Sequence, residues 1–407
     1  MIGMDPKKPI VTPIFIPYST QEKCVNVIVG IVHTPSKYGN LHLNGGLKYL
    51  MKYTILKIIN IKFLFIFLIC YCFFSTIIYA KDVTTNMSNG KFYNPPGSPK
   101  RDGKGKFSYW TFLKEKKKIK INIPSDHVID ESTNLKNLDE NKNNDYVMWI
   151  GHATFLIKLG DNIIITDPVF SKNAGPLFLG SYRYVDPAIS LDNIPKVNLL
   201  LQTHNHYDHL DIRTLKKFPY KDTNVILPLK MKKYFSSNGF KNVKELDWYQ
   251  QINLSNDLKV TLVPSIHWSK RTPFDTNETL WGSFIIEYKN KKILFACDTG
   301  SGNIYKDIGQ KFGPIDMIFI NIGAYDFRPM FEKSIYHTTP EEAVEIGKMV
   351  KAKKIIGMHW GTFILSLEDP FEPPKRFKNS ARKFGYNQND LILFKIGEIK
   401  TINQILE

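Results

Sequence analysis

From about residue 146 onward, the sequence predicts an α/β fold in which two β-sheets pack together and helices cover their outer faces. Apolar runs of strand length follow one another closely in the first part of this region, with few helix-like segments between them. Strands and helices are mixed in its second part. A third observation is that residues of the kind that bind metals follow directly after several of the apolar runs. We therefore expect an α/β sandwich that carries a site at its strand ends.

Three segments precede this domain, which we place at residues 146–407. Residues 1–50 show no clear period and are interpreted as an unstructured or misassigned upstream segment. Residues 51–80 combine a lysine-containing lead, an apolar run and a final small residue, Ala80, which are the three parts of a secretory signal peptide. The apolar stretch that ends there has 18 residues, so an uncleaved N-terminal membrane anchor is the alternative. We expect an exported protein, periplasmic or secreted, or one anchored with its domain outside the cytoplasm.

The segment 81–145 is predicted to be a basic arm that contains aromatic residues. Four aromatic residues lie between Phe107 and Phe112, directly before the lysine-rich stretch 114–118. Such a segment either contacts an anionic lipid surface or wraps the domain as a solvated arm. Residues 81–120 hold 11 Lys+Arg against 3 Asp+Glu, whereas residues 121–407 hold 36 against 33. Because the body of the protein is nearly neutral, we expect no nucleic-acid partner.

The elements of the domain are predicted from apolar runs and helix signals. Thr339 and Pro340, followed by two glutamates, indicate a helix start, since a hydroxyl cap, a proline and acidic residues are favoured there. Strands are expected at 146–150, 154–159, 162–166, 197–202, 224–227, 259–263, 282–287, 292–296, 315–320, 353–358 and 391–395. Helices are expected near 211–217, 229–236, 303–311, 340–350 and 371–384.

The segment from Thr203 to Asp211 is the strongest indication of chemistry in the chain. Its motif places four metal-ligand residues within six positions, directly after an apolar run: His204, His206, Asp208 and His209. Imidazole nitrogens and a carboxylate are the donors that a borderline cation such as zinc accepts. Without a metal, the same groups would leave charges and ring nitrogens unsatisfied in one loop. The segment therefore predicts a metal site.

His267, Asp298 and His359 are further candidate ligands. Each stands at or just past the end of an apolar strand, as the first four do. Taken singly, such a residue is more often a hydrogen-bonded histidine or a turn aspartate. Beside a preassembled metal loop, the ligand interpretation is favoured.

These motifs resemble those of the metallo-β-lactamase fold superfamily of hydrolases and, within it, the family of N-acyl-phosphatidylethanolamine-hydrolysing phospholipases D. The closer resemblance is carried by segments starting at Trp149, Thr166, His204, Glu245, His267, Leu280, Asp298, Ile322, Pro340 and His359. It covers the chain from about Tyr146 to Phe394. It implies an αβ/βα four-layer sandwich of two mixed β-sheets flanked by helices.

The resemblance also implies two Zn²⁺ ions and a reaction. One ion would be held by His204, His206 and His267, the other by Asp208, His209 and His359, with Asp298 shared between them. The implied reaction is hydrolysis of N-acyl-phosphatidylethanolamine to N-acylethanolamine and phosphatidic acid by a metal-bound hydroxide. The expected partners are then a phospholipid substrate and a membrane surface, and the oligomeric state is left open, a homo-oligomer included.

Two other classes of function compete with this interpretation. The first is a related dizinc hydrolase that acts on a soluble phosphorylated lactone or another small ester. The second is a non-catalytic module that binds metal or lipid. The complete ligand set argues against a binding module, which has no need of a bridging carboxylate.

Residues near the ligands have two interpretations each. Asp211 either orients a ligand imidazole, which would give it a catalytic role beside Asp298, or caps a helix. Asp167 has the same two interpretations. His337 corresponds to a histidine near the reactive phosphate in the resembled family, so it is expected to take part in catalysis and in substrate binding.

The remaining expectations concern the cleft walls and one departure from the resembled family. Tyr207 and Tyr325 are expected to line the substrate cleft, and His152 is expected to hydrogen-bond its loop. Cys297 stands where the resembled family usually has glycine before the bridging aspartate. Because strand positions alternate between faces, we expect its thiol to face the core rather than to become an extra metal ligand.

Overall fold

The computed structural model describes residues 87–100 and 105–407. The predictions for residues 1–50 and 51–80 therefore lie outside the described residues. Within the described part of the chain, no helix combines the length and the apolar character needed to cross a membrane.

The described residues contain short and long strands and eight α-helices. In chain order, the strands are β1 (Met87–Ser88), β2 (Lys91–Phe92), β3 (Tyr146–Gly151), β4 (Thr154–Leu159), β5 (Asn162–Thr166), β6 (Asn173–Ala174), β7 (Ser181–Tyr182), β8 (Leu199–Leu201), β9 (Asn224–Pro228), β10 (Asn242–Leu246), β11 (Gln251–Asn253), β12 (Leu258–Val263), β13 (Ser283–Tyr288), β14 (Lys291–Cys297), β15 (Ile315–Asn321), β16 (Asp326–Phe327), β17 (Phe331–Lys333), β18 (Ala352–Met358), β19 (Leu391–Ile392) and β20 (Ile399–Thr401). The helices are α1 (Tyr109–Lys116), α2 (Glu131–Glu140), α3 (Ile212–Lys217), α4 (Lys232–Ser236), α5 (Ile304–Lys311), α6 (Pro340–Met349), α7 (Glu372–Phe384) and α8 (Ile402–Leu406).

Two seven-stranded sheets form the body of the domain. The first has the order β10-β9-β8-β5-β4-β3-β20, and the second has the order β11-β12-β13-β14-β15-β18-β19. In the first sheet, β20 to β5 pair antiparallel and β5 to β10 pair parallel. In the second, β11 to β14 pair antiparallel and β14 to β19 pair parallel. Both sheets are therefore mixed.

The core lies between the two sheets. Phe155 on β4 of the first sheet makes ring contacts with Phe295 on β14 and Phe319 on β15 of the second, with centroids 6.4 and 5.0 Å apart. All three rings are fully buried. Helix α6 packs on β15 and β18, and α7 packs on α6 and β19. The expected sandwich of two mixed sheets flanked by helices is confirmed.

Element boundaries agree best where the sequence carries a specific signal. Helix α6 begins as expected: the Thr339 side chain accepts from the Glu342 backbone N–H, Glu342 reaches back to Thr339, and Pro340 occupies the first turn. By contrast, the strands expected at 197–202 and 391–395 are shorter, and α1, α2 and β20 were not predicted. Neither arm helix fully buries an apolar side chain, and their starts depend on single capping residues, Ser108 and Asp130, rather than on an apolar period.

Candidate metal centre

The predicted ligand residues emerge where strands of both large sheets end. Strand β8 of the first sheet ends at Leu201, and the loop that follows carries the His204–His209 motif. Strands β12, β14 and β18 of the second sheet lead into the other three candidates. The structure brings all seven together at one edge of the sandwich. We call the following residues the metal-ligand cluster: His204, His206, Asp208, His209, His267, Asp298 and His359.

Three histidines form one half of the cluster. His206 Nδ1 lies 2.9 Å from His204 Nε2 and 3.1 Å from His267 Nε2. The three ring nitrogens lie within 4.8 Å of one another, the spacing expected of ligands to one cation. Facing nitrogens of this kind repel unless a proton or a cation lies between them.

Asp208, His209 and His359 form the other half. Asp208 Oδ2 lies 3.2 Å from His359 Nε2 and 3.4 Å from His209 Nε2. His152 also contacts this carboxylate, with Nε2 3.0 Å from Asp208 Oδ2. The expectation that His152 hydrogen-bonds its loop holds for its backbone, whose carbonyl accepts from Trp149 Nε1 at 3.0 Å. Its backbone N–H donates to Thr362 Oγ1 at 3.1 Å. Its ring was not expected at the site, because the sequence does not show which way a side chain at a strand end points.

Asp298 lies between the two halves. Its Oδ2 is 2.9 Å from His209 Nε2 and 3.1 Å from His359 Nε2. The same oxygen is 4.0 Å from both His204 Nε2 and His267 Nε2. One carboxylate therefore reaches both groups of nitrogens, the position required of a ligand shared by two cations.

The donor atoms of the cluster fit divalent cations. Both carboxylate oxygens of Asp298 and the Nε2 atom of His209 are buried, and none makes a geometrically sound hydrogen bond to another described residue. Buried polar atoms without partners are costly, so their convergence indicates a ligand. A set of imidazoles and carboxylates with no thiolate at the centre suits zinc or a similar first-row cation.

Burial and charge set the protonation states of the cluster. Burial lowers the pKa of His206 and of His267 to about 3. Burial would raise the pKa of the Asp298 carboxyl, but the neighbouring His209 holds it well below its usual range. Burial acts against charge on His359 as well, but the Asp298 carboxylate outweighs it and raises the pKa of that ring to about 9. His206 and His267 are thus neutral, whereas the anionic Asp298 carboxylate favours a proton on His359. A cation bound at the cluster would displace that proton, because metals bind the neutral imidazole.

A layer of hydrogen bonds beneath the cluster orients its rings. Asp167 Oδ2 lies 2.8 Å from His209 Nδ1 and accepts from Thr203 Oγ1 at 2.5 Å. Its Oδ1 accepts from the Thr203 backbone N–H at 2.7 Å. Thr203 Oγ1 in turn lies 2.9 Å from His204 Nδ1. Because Nδ1 of His204 and of His209 is occupied from below, the Nε2 lone pair of each of these two rings is left for the site. Of the two interpretations of Asp167, the geometry supports the orienting one.

Cys297 lies where this layer meets the hydrophobic core. Its thiol is buried, 3.1 Å from Asp167 Oδ2 and 3.4 Å from Thr203 Oγ1. The expectation of a core-facing thiol agrees with the place of Cys297 among the buried core residues. The alternation of faces behind that expectation does not hold, however, because β14 shifts register between Phe295 and Cys297. Cys297 has a φ of +53°, in the left-handed region that glycine adopts without strain. Glycine at this position in the resembled family agrees with that backbone.

Four residues at strand ends around the site share this unusual backbone. His152, Asp167, Cys297 and His359 have φ values of +56°, +31°, +53° and +65°. For a residue other than glycine, this conformation costs about 1–3 kcal/mol. The sequence offers no signal for it, because none of these residues is a glycine.

Asp211 acts as a helix cap and not as a partner of a ligand. Its Oδ1 accepts from the Arg213 backbone N–H at 3.1 Å at the start of α3. Its Oδ2 accepts from the Thr214 hydroxyl at 2.5 Å and from the Ser171 backbone N–H at 3.0 Å. The expected catalytic role is therefore corrected, because both carboxylate oxygens are engaged away from the cluster.

The two tyrosines expected in the cleft have different positions. Tyr207 lines the cleft, donates from its hydroxyl to the Arg271 carbonyl at 2.9 Å and packs under the Arg271 guanidinium. Tyr325 is buried, and its hydroxyl donates to Glu372 Oε2 on α7 at 3.0 Å. The expectation for Tyr325 is thus corrected: the ring turns away from the cleft to satisfy its hydroxyl.

The cluster forms the base of a cleft of about 530 Å³. His337 is at this base, with Nε2 3.9 Å from Asp298 Oδ2, and burial lowers its pKa to about 3. The lining combines apolar side chains with the basic residues Lys270 and Arg271. The cleft is lined by Ala174, His206, Tyr207, Asp208, Trp268, Lys270, Arg271, Thr272, Pro273, Asp298, Ala324, Phe327, His337 and Leu365.

Comparison with known proteins agrees with this geometry. Residues 162–360 match the model of the β-lactamase superfamily domain. A curated protein of Caenorhabditis elegans, named N-acyl-phosphatidylethanolamine-hydrolyzing phospholipase D 1, is 33% identical over 271 residues, which are 62% of this chain and 76% of the relative. A mitochondrial protein of Saccharomyces cerevisiae with the same enzyme name is 34% identical over 248 residues. That match covers 59% of this chain and about half, 53%, of the yeast protein.

A solved structure supports the fold. An isothiocyanate hydrolase from Delia radicum gut bacteria superposes with a TM-score of 0.51 at 18% sequence identity, covering 63% of this chain and 99% of that one. At this identity the likeness concerns the fold alone. The fold, the cluster at its strand ends and the identity to the nematode enzyme lead to one assignment: the chain belongs to the metallo-β-lactamase superfamily of metal-dependent hydrolases, close to the N-acyl-phosphatidylethanolamine-hydrolysing phospholipases D.

Proposed function

We propose that the chain is a phosphodiesterase of phospholipase D type, which hydrolyses N-acyl-phosphatidylethanolamine to N-acylethanolamine and phosphatidic acid. The observation that carries this proposal is the division of the cluster into two groups of donors around one shared carboxylate, Asp298, at the base of a partly apolar cleft. The names of the nematode and yeast relatives support the substrate.

We propose two Zn²⁺ ions as the cofactor. His204, His206 and His267 would hold one ion, Asp208, His209 and His359 the other, and Asp298 would contact both. When bound, such a pair activates water near neutral pH and offsets negative charge on phosphoryl oxygens.

The reaction adds one water to the lipid. The water oxygen joins phosphorus, the bond from phosphorus to the ethanolamine oxygen breaks, and that oxygen takes up a proton and leaves as N-acylethanolamine. His337 is suited to contact the phosphoryl group, because it lies at the cleft base and burial keeps its imidazole neutral. Lys270, on the cleft wall, supplies a positive charge for the phosphate that remains on phosphatidic acid.

Isotope labelling tests the substrate and the bond that breaks. The purified chain would be incubated in ¹⁸O-water with N-acyl-phosphatidylethanolamine in detergent micelles, and both products would be weighed by mass spectrometry. We expect the label in phosphatidic acid and none in N-acylethanolamine. Label in a released fatty acid, with the phosphodiester intact, would contradict the proposal.

Two controls connect the reaction to the cluster and to the alternative substrate class. A chelator and the His204→Ala substitution should each abolish product formation, since both remove the cofactor. A soluble phosphorylated lactone should be turned over far more slowly than the lipid. Preferential turnover of the lactone would favour the hydrolase of small soluble esters instead.

We also propose that the chain is exported, on the basis of the signal-peptide pattern in residues 51–80. Lipid phosphodiesters are available outside the cytoplasm, which agrees with a lipid substrate. Mass spectrometry of the N-terminus of the protein isolated from its source should find a chain that begins at Lys81. A chain that retains residues 51–80 would instead support the membrane anchor.

A further inference from the structure

The most exposed large apolar side chains of the described residues belong to three separate segments. Phe274 is 87% exposed, Trp110 on α1 is 79% exposed, and Leu177 and Phe178, between β6 and β7, are 78% and 71% exposed. A fully exposed aromatic ring on a soluble surface is costly, so a group of them indicates a partner. We call this set the rim: Trp110, Leu177, Phe178 and Phe274.

All three segments border the cleft above the metal-ligand cluster. Phe274 directly follows Pro273, which lines the cleft, and the β6–β7 hairpin begins beside another lining residue, Ala174. Helix α1 reaches the cleft through Phe112, whose ring stacks on the lining residue Phe327 with centroids 6.4 Å apart. Each of the three segments that carry the rim therefore adjoins the lining of the cleft.

The rim is held in a defined arrangement. Lys116 of α1 donates from Nζ to the Ser181 hydroxyl of the hairpin at 2.8 Å, which joins two of the three segments. The Ser108 backbone N–H, at the start of α1, donates to Met330 Sδ at 3.3 Å. Because Phe112 packs inward while Trp110 is exposed, α1 presents its tryptophan outward from a fixed base.

The charge around the rim is positive. Lys114 and Lys117 are exposed on and just after α1, and Lys270 is on the cleft wall beside the Phe274 segment. Residues 81–120 as a whole carry 11 Lys+Arg against 3 Asp+Glu. Aromatic side chains surrounded by lysines suit an anionic lipid surface, where rings enter the headgroup region and lysines meet phosphates. A second copy of the chain fits less well, because a twofold contact through the rim would bring the same lysines together.

We infer that the rim docks the chain on an anionic phospholipid bilayer, with the cleft entrance facing the lipid. The inference rests on the proposed function in one respect: docking there would bring the lipid phosphodiester to the metal-ligand cluster. The affinity of the rim for lipid is inferred separately, from its exposed rings and the lysines around them.

Trp110 provides a native probe of docking. The chain has six tryptophans. Trp110 is exposed, whereas the other five are buried or half-buried, so Trp110 should respond most strongly to a vesicle. The full-length chain would be mixed with vesicles of phosphatidylcholine and phosphatidylserine that contain brominated phosphatidylcholine, which quenches fluorescence by contact. We expect a blue shift and quenching, both absent from the Trp110→Phe variant and both much weaker with pure phosphatidylcholine.

Variants separate the rim from the rest of the chain. Phe274→Ser should weaken Trp110 quenching although it lies on another segment. Lys114→Glu with Lys117→Glu should weaken vesicle binding by at least about fivefold for each lysine, because each change removes an attracted charge and adds a repelled one. Lys244→Glu, on the outermost strand of the first sheet, and Leu135→Ala, on α2, are the matched controls and should bind as the wild type does. Trp110 fluorescence that does not respond to anionic vesicles, or a Phe274→Ser variant that responds fully, would overturn the inference. A blue shift that rises with protein concentration without vesicles, together with dimers in sedimentation velocity, would also overturn it in favour of self-association.

Vesicle binding can be measured independently of lipid hydrolysis. Vesicle binding would also be measured with His204→Ala, which should dock as the wild type does because the rim is unchanged. Docking without hydrolysis of N-acyl-phosphatidylethanolamine would refute the proposed function alone. Hydrolysis of the lipid in detergent micelles without Trp110 quenching would refute the docking inference alone.

Discussion

The metal-ligand cluster and the rim border the same cleft but differ in every physical respect. The side chains of the cluster are largely buried, and most of its rings are oriented by hydrogen bonds from neighbouring residues, as Asp167 does for His209. The side chains of the rim are exposed, and only the backbones and neighbours that carry them are fixed. The metal-ligand cluster therefore serves the chemistry, and the rim separately serves access of the substrate. The cluster needs exact atomic positions, whereas the rim needs a surface of the right character.

Removing the shared carboxylate should have the largest effect and should be confined to the cluster. Asp298→Asn keeps the shape but loses the charge that both halves of the cluster share. We expect hydrolysis of lipid and of bis(p-nitrophenyl) phosphate to fall by about a thousandfold or more, because several kcal/mol of transition-state stabilisation depend on the cations. Steady-state rates measure this effect.

The matched control for Asp298→Asn is Asp316→Asn, at an aspartate that pairs with Lys353 on the far side of the sandwich. It should change the rate little. Vesicle docking of Asp298→Asn, followed by Trp110 fluorescence, should equal that of the wild type. If docking is lost together with activity, the separation of the two regions is wrong.

Loss of the orienting carboxylate should have an intermediate effect on the cluster. Asp167→Asn replaces one of the two oxygens that accept from His209 and Thr203 with an NH2 group, which donates instead. The ring of His209 and the hydroxyl of Thr203 therefore cannot both keep their fixed orientation. We expect zinc affinity, measured by competition with a fluorescent chelator, to fall by about 10–100-fold. An affinity within twofold of the wild type would show that the layer beneath the cluster is not required to orient it.

Added salt should have a smaller effect, and it should lower turnover through the rim and not through the cluster. Screening by added salt weakens exposed charges such as Lys114 and Lys117 much more than buried ones. Raising the ionic strength to about 0.5 M should therefore lower turnover of lipid in anionic vesicles several-fold. Turnover of bis(p-nitrophenyl) phosphate under the same conditions should stay nearly constant. Equal losses on both substrates would argue against a docking role for the lysines.

The smallest expected effect concerns a residue outside both regions. Asp211→Ala removes the cap of α3 and should lower the free energy of unfolding by about 1–2 kcal/mol, as measured by denaturant titration. The rate per bound metal should not change, because the carboxylate makes its hydrogen bonds away from the cluster. Asp211→Asn, which can still cap the helix, is the control. A large loss of rate with normal stability would restore the catalytic interpretation.

The fold class and the cluster could be predicted because both depend on patterns among residues that are close together in the sequence. Ligands at fixed spacing after an apolar run define a loop at a strand end, and the remaining ligands follow further strands in the same way. The start of α6 was predicted correctly because Thr339, Pro340 and Glu342 form a specific capping signal.

What the sequence could not show is the direction of single side chains and the elements without a period. The contacts of the Cys297 thiol with Asp167 and Thr203 are not expected from the sequence, because a register shift in β14 cannot be read from alternation. Tyr325 was placed in the cleft because its partner, Glu372, is 47 positions away in the chain. The β6–β7 hairpin has strands of two residues each, too short for any period to appear. The rim depends on such elements, so only the exposure of its side chains in the structure reveals it.

Anomalous X-ray scattering at the zinc edge would show whether the cluster holds two cations around Asp298. Crystals of the zinc-loaded chain should show two anomalous peaks within about 4 Å of each other. One should lie among His204, His206 and His267, the other among Asp208, His209 and His359, with Asp298 between them. A single peak, or two peaks of which neither contacts Asp298, would show that Asp298 is not shared by two cations.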